Sequence, residues 1–199
     1  MDQDQIFLKN EWIYKIKTTI NNKNSQAFTS TGLYLIDLDH NRLSLLLNYI
    51  IDSIQKEKSI ALIKKLAKHI EYALTIHFLH EELVMNAINY PGTESHKQMH
   101  LQMVGEYKNF TSTINNDSCF KNLEERFLRI LAWVEFHVIQ EDMQFVPYIK
   151  ENKIYPSSAK ENLSSIAETT SQKFYLKMQD TTEMIRLRKL CTKISKIKV

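Results

Sequence analysis

The stretch LIKKLAKHIEYALTIHFLHEELVMNAI, residues 62–88, contains neither glycine nor proline, and its apolar positions recur with a helical period. Leu62, Leu66, Ile70, Ala73, His77, Glu81, Val84 and Ile88 step by threes and fours, which places them along one face of a helix. Two of those inward positions are a histidine and a glutamate, and burying either without a partner is costly. The stretch therefore predicts both a core element and a polar group held inside the core.

The flanking blocks repeat the pattern. His40, Leu43, Leu47, Ile50 and Ile54 precede it; His96, His100, Met103, Tyr107, Phe110 and Ile114 follow it, and then Leu123, Phe127, Ile130, Val134, His137 and Glu141. Turn-prone residues separate the blocks at Glu57-Lys58, Tyr90-Pro91-Gly92 and Asn115 to Ser118. Four amphipathic helices joined by short loops predict an all-α, up-down-up-down four-helix bundle over residues 28–150. Residues 1–27 form an N-terminal extension in which Ile6 to Ile20, with Trp12, reads as a short amphipathic helix. Residues 151–199 form a basic C-terminal extension, helical from the capping-box pattern Ser158-Ala-Lys-Glu161 onward.

Composition excludes several function classes. The chain has three glycines in 199 residues, Gly32, Gly92 and Gly105, and three prolines. No G-x-G-x-x-G, Walker A or G-x-S-x-G sequence can be written with them, which excludes dinucleotide-binding, P-loop and α/β-hydrolase chemistry. Cys119 and Cys191 are too far apart for a C-x-x-C site, and so few cysteines fit a reducing cytoplasm. The N-terminus carries acids where a secretion signal needs Lys or Arg, and no apolar run approaches the roughly 18 residues of a membrane span. A soluble, cytoplasmic protein is expected. The net charge of +3 is concentrated in residues 151–199, which hold ten Lys/Arg against five Asp/Glu. That tail reads as a solvated helix face, or as a helix that docks a protein partner or a second copy. No aromatic residues interleave its basic ones in a recognised pattern, so nucleic-acid binding is not expected.

Histidines on inward faces are the anomaly. Counted from the intervening loops at about 1.5 Å per residue, His40 and His77 lie at similar heights, as do Glu81 and His100, and His100 and His137. His77/Glu81 and His96/His100 are i,i+4 pairs on one helix face, whereas His137 and Asp142 are five apart, about 140° around an α-helix. Asp142 is thus expected to reach the layer sideways. His69 and His80 belong to no such set and are expected on exposed faces. Imidazole and carboxylate without thiolate favour iron or manganese over structural zinc or iron–sulfur clusters. Seven side chains are too many for one ion. Five imidazoles, two bridging carboxylates and a bridging solvent oxygen would fill all but about one of the twelve positions around two octahedral ions, leaving room for a small ligand.

Four segments then carry a family resemblance: Gly32-Leu-Tyr-Leu-Ile-Asp-Leu-Asp-His40, His77-Phe-Leu-His-Glu81-Glu-Leu-Val-Met, Tyr90-Pro-Gly-Thr-Glu-Ser-His96-Lys-Gln-Met-His100 and Trp133-Val-Glu-Phe-His137-Val-Ile-Gln-Glu-Asp142. They resemble the bacterial single-domain hemerythrins over residues 28–150. The resemblance implies an oxo- or hydroxo-bridged di-iron centre, with His96, His100 and His137 on the saturated iron, His40 and His77 on the iron with a vacant position, and Glu81 and Asp142 bridging. It implies reversible dioxygen binding for storage, delivery or scavenging, without turnover, so the chain is not expected to be an enzyme. An apolar lining of Leu43, Met103 and Trp133 would exclude water. Asp39, before His40, stands where the family more often has Gln, and Met103 where an aromatic is common. Two other readings remain open: an oxygen or redox sensor signalling through the C-terminal helix, and a di-iron reductase of peroxide or nitric oxide.

Overall fold

A computed structural model describes residues 28–151. The expected N-terminal amphipathic helix and the basic C-terminal extension, with its partner-docking role, lie outside the described residues. Helices α1 (Tyr34–Gln55), α2 (Ile60–Ala87), α3 (Thr93–Ser112) and α4 (Phe120–His137) follow one another, a π-helical turn (Val138–Asp142) continues α4, and α5 (Met143–Glu151) closes the described chain. No strand occurs among the described residues. Helix α1 packs on α2 and α4, and α2 packs on α3, as in the expected bundle.

Local chemistry sets the helix ends. In front of α1, the Asp37 carboxylate accepts from the Thr31 amide (2.7 Å), the Thr31 hydroxyl (2.8 Å), the Ser30 hydroxyl (2.7 Å) and the Gly32 amide (3.1 Å). This folds the entry segment back onto the first turn and fixes where the helix starts, six residues before His40. Gly32 adopts φ +77°, a left-handed conformation that glycine takes without a Cβ penalty. At the other end of α1, the Lys58 amide donates to the Ser53 carbonyl and the Glu57 amide to the Ile54 carbonyl. That is a Schellman stop, and Glu57 takes its left-handed position at φ 48°. Helix α2 begins with Ser59, whose hydroxyl accepts from the Leu62 amide, and ends in a second Schellman turn with Asn89 at φ 53°.

The inward stripes form two apolar clusters. The larger holds Leu43, Leu47, Ile50, Ile54, Leu66, Ile70, Met103, Tyr107, Phe127 and Val134; the smaller holds Ile36, Val84, Met85, Ile88, Phe145, Val146 and Ile149. In the chain order of α1, α2 and the α4–α5 unit, His40, Glu81 and Asp142 fall between these two sets, and His77 and His137 each stand one residue before the last member of the larger set, Phe78 and Val138. The core therefore sandwiches a polar layer.

One stripe needs correction. Glu141 was expected inward, following His137 by four, but it is only partly buried, and Asp142 is fully buried instead. The π turn accounts for the change: its i→i+5 bonding inserts one extra residue, so the inward position passes from 141 to 142. For the same reason Asp142 does not approach sideways. It comes round beneath His137.

Candidate metal centre

All seven candidate side chains, His40, His77, Glu81, His96, His100, His137 and Asp142, are buried, and the fold brings them into one layer. Their donor atoms form two sets. Glu81, His96, His100, His137 and Asp142 make one, His40, His77, Glu81 and Asp142 the other, and within each set the atoms lie within 4.8 Å of one another. Glu81 and Asp142 belong to both.

The carboxylates divide their oxygens between the sets. Glu81 Oε2 lies 3.1 Å from His100 Nε2 and 3.6 Å from His96 Nε2, while its Oε1 lies 3.6 Å from His77 Nε2 and 4.0 Å from His40 Nε2. Asp142 Oδ1 lies 3.0 Å from His137 Nε2 and 3.3 Å from His96 Nε2, while Oδ2 lies 3.4 Å from His40 Nε2. His100 Nε2 and His137 Nε2 face each other at 3.2 Å. Around a six-coordinate ion with bonds of about 2.1 Å, neighbouring donors stand about 3 Å apart and opposite donors about 4.2 Å. The observed spacings fall in that range.

Unpaired atoms point the same way. Both nitrogens of His40 and of His77, both oxygens of Glu81 and of Asp142, and Nε2 of His96 are buried without a hydrogen-bond partner among the described residues. Folded proteins leave few buried polar groups unpaired, and cations in the layer would satisfy these together. Protonation favours ligation as well. Burial first, and then the neighbouring His40, holds His77 well below the usual imidazole range; burial, with His96 and His137, lowers His100 to about 2. Both therefore present neutral nitrogens, the form that binds metal. Burial and the adjacent Asp142 push Glu81 well up. Burial also pushes Asp142 up, but the imidazoles of His137, His40 and His96 outweigh it and hold that carboxyl well below its usual range.

The matched chain segment is residues 31–149, which fit the family described as the hemerythrin HHE cation-binding domain. The chain belongs to the hemerythrin family. Among curated relatives, the bacteriohemerythrins of Pseudomonas aeruginosa strains LESB58 and UCBPP-PA14 are 25% identical over 127 residues, covering 62% of this chain and 78% of theirs. The bacteriohemerythrin of Pseudomonas paraeruginosa strain DSM 24068 / PA7 matches over the same span at the same identity. No solved structure matches the chain significantly. As a hemerythrin-family domain, the bundle is a cation-binding module with a side-chain cluster able to hold metal, and among the described residues no helix is long and apolar enough to cross a membrane.

Around the layer, the hemerythrin bundle shows groups that sequence spacing did not single out. His100 Nδ1 lies 3.0 Å from Glu82 Oε1, which aims the other ring nitrogen at the layer, and Phe78 stacks on the same imidazole with centroids 3.9 Å apart. Leu43 and Met103 are buried in the larger apolar cluster and Trp133 packs against it. His80 and His69 lie in the interior and not on the exposed faces expected of them. His80 is 0% exposed, because its Nδ1 donates to Asp39 Oδ2 at 2.5 Å across the α1–α2 interface; His69 is 8% exposed. A helix buried on more than one side takes residues off the main stripe into the interior. The tandem acids Glu81-Glu82 and the doublet Asp39-His40 are the signals that would have located Glu82 and Asp39.

Proposed function

We propose that this hemerythrin-family bundle holds two iron ions and binds dioxygen reversibly, serving storage, delivery or scavenging without turnover of its own. The observation that carries this reading is the division of each carboxylate's two oxygens between a three-histidine set and a two-histidine set. Such a pair of unequal sites leaves the poorer one, at His40 and His77, open to a small ligand. In this reading His96, His100 and His137 would hold one iron and His40 and His77 the other, with Glu81 and Asp142 shared between them. Bound iron would supply the one-electron chemistry and the open position that dioxygen requires. The chain's own residues supply the rest. Neutral imidazoles limit the anionic charge on the metals, and the buried layer between two apolar clusters keeps bulk water out. Leu43, Met103 and Trp133 form the apolar wall on the side of the larger cluster. The name of the matched relatives supports the same reading, and the sparse cysteines support a cytoplasmic setting.

The experiment is iron content per chain together with optical spectra taken without oxygen, with it, and after its removal. Two irons with an oxygen-dependent spectrum that reverses support the proposal. Irreversible oxidation, or steady consumption of peroxide or nitric oxide with a reductant, would replace it with the redox-sensor or reductase reading.

A further inference from the structure

The two metal sets are supported differently. In the three-histidine set, Glu82 backs His100. In the two-histidine set, no nitrogen of His40 or His77 has a hydrogen-bond partner among the described residues, and the polar groups facing these rings are the shared carboxylates of Glu81 and Asp142, at 3.4–4.0 Å from Nε2, with none on Nδ1. Metal-binding histidines are ordinarily held by such a partner, and losing it commonly lowers metal affinity about ten- to a hundredfold. Something else must set the distance between these two rings, whose centroids stand 4.6 Å apart on different helices.

A buried polar tie lies directly behind them. Asp39, which precedes His40 on α1, accepts from His80 Nδ1 at 2.5 Å through Oδ2 and from Arg42 Nη1 at 3.0 Å through Oδ1. His80 precedes Glu81 on α2 and lies one turn beyond His77. Asp39, Arg42 and His80 are all buried, at 4%, 6% and 0% exposure. A carboxylate with both oxygens engaged in a dry interface is strong and direction-specific, and slippage of α1 against α2 would break it. The same slippage would separate His40 from His77 and Glu81.

We propose that Asp39 and His80, steadied by Arg42, are positioning residues that fix the register of α1 against α2 and so set the metal affinity of the His40/His77 site selectively. The inference rests on the two-ion reading above. The test is anaerobic titration of the full-length metal-free chain with ferrous iron, reading the affinity of each of two successive irons. Asp39→Ala and His80→Ala are expected to retain one iron at wild-type affinity while the second weakens tenfold or more. The retained iron is the internal control for folding. Asp39→Asn keeps an oxygen acceptor for His80 and is expected to restore the second iron to within about threefold. Equal weakening of both irons, or an unchanged second iron in the alanine variants, overturns the proposal. A wild-type chain that takes up no second ion overturns it as well. Two irons without reversible oxygen dependence would defeat the dioxygen proposal alone and leave this comparison standing.

Discussion

His77 offers two buried, unpartnered nitrogens to the layer, whereas Glu82 acts at one remove through His100. Their substitutions should differ accordingly. His77→Ala is expected to remove the poorer iron and with it all oxygen-dependent absorbance, while Glu82→Ala should keep both sites but lower affinity at the three-histidine set about ten- to a hundredfold, as judged by competition with a chelator. His69 stands apart from the layer and allows a pH test. Burial, with help from Lys65, holds its pKa below the ordinary value, so the unfolded chain binds its proton more tightly than the folded one. Stability from this group is present above about pH 6.5 and is lost as pH falls towards the lowered value. His69→Leu should therefore show a smaller fall in thermal midpoint than wild type between pH 7 and 5. Six of the inward residues, His40, His77, Glu81, His96, His100 and His137, were legible because polar side chains on an apolar stripe demand partners; Asp142 lay off the stripe and was named from its spacing to His137 and from the family resemblance. His80 and His69 were not, because a single-face count assigns each helix one inner side, and α2 has neighbours on two.

At the scale of the element, the π turn decides which acid enters the centre. An uninterrupted α-helix would turn Glu141 inward, but the wider turn delivers Asp142 instead. Asp142→Ala is expected to reduce both irons in a metal assay and Glu141→Ala neither; the reverse pattern would mean that α4 continues as a regular helix. The helices themselves were readable from spacing, since stripes such as Leu43, Leu47, Ile50 and Ile54 are all buried. The π turn was not, because the pattern slips by a single residue and an α-helical count absorbs it. The Schellman stop of α1 carries its own prediction. Glu57 occupies a left-handed position on the surface that favours glycine, so Glu57→Gly should stabilise the fold by about 1 kcal/mol and raise the melting midpoint by about 2–4 °C.

For the whole molecule, two apolar clusters hold a layer in which His40, His77, Glu81 and Asp142 lack hydrogen-bond partners within the described protein, so bound ions would link metal binding to folding. Ions that bind the folded chain at a hundred to a thousand times their dissociation constant add about 3–4 kcal/mol, and stripping them should lower the melting midpoint by about 5–15 °C in a calorimeter. The bundle was legible at this scale from four periodic blocks and short loops, and the shared layer of His40, His77, Glu81, His100 and His137 from matching heights. Reversible oxygen binding at two irons is tested most directly by the iron content of the purified full-length chain, read with its spectrum through a cycle of deoxygenation and reoxygenation. Two irons per chain are expected, with an absorbance change that appears with oxygen and vanishes without it over repeated cycles. One iron or none after anaerobic reconstitution, or a spectrum indifferent to oxygen, would contradict it.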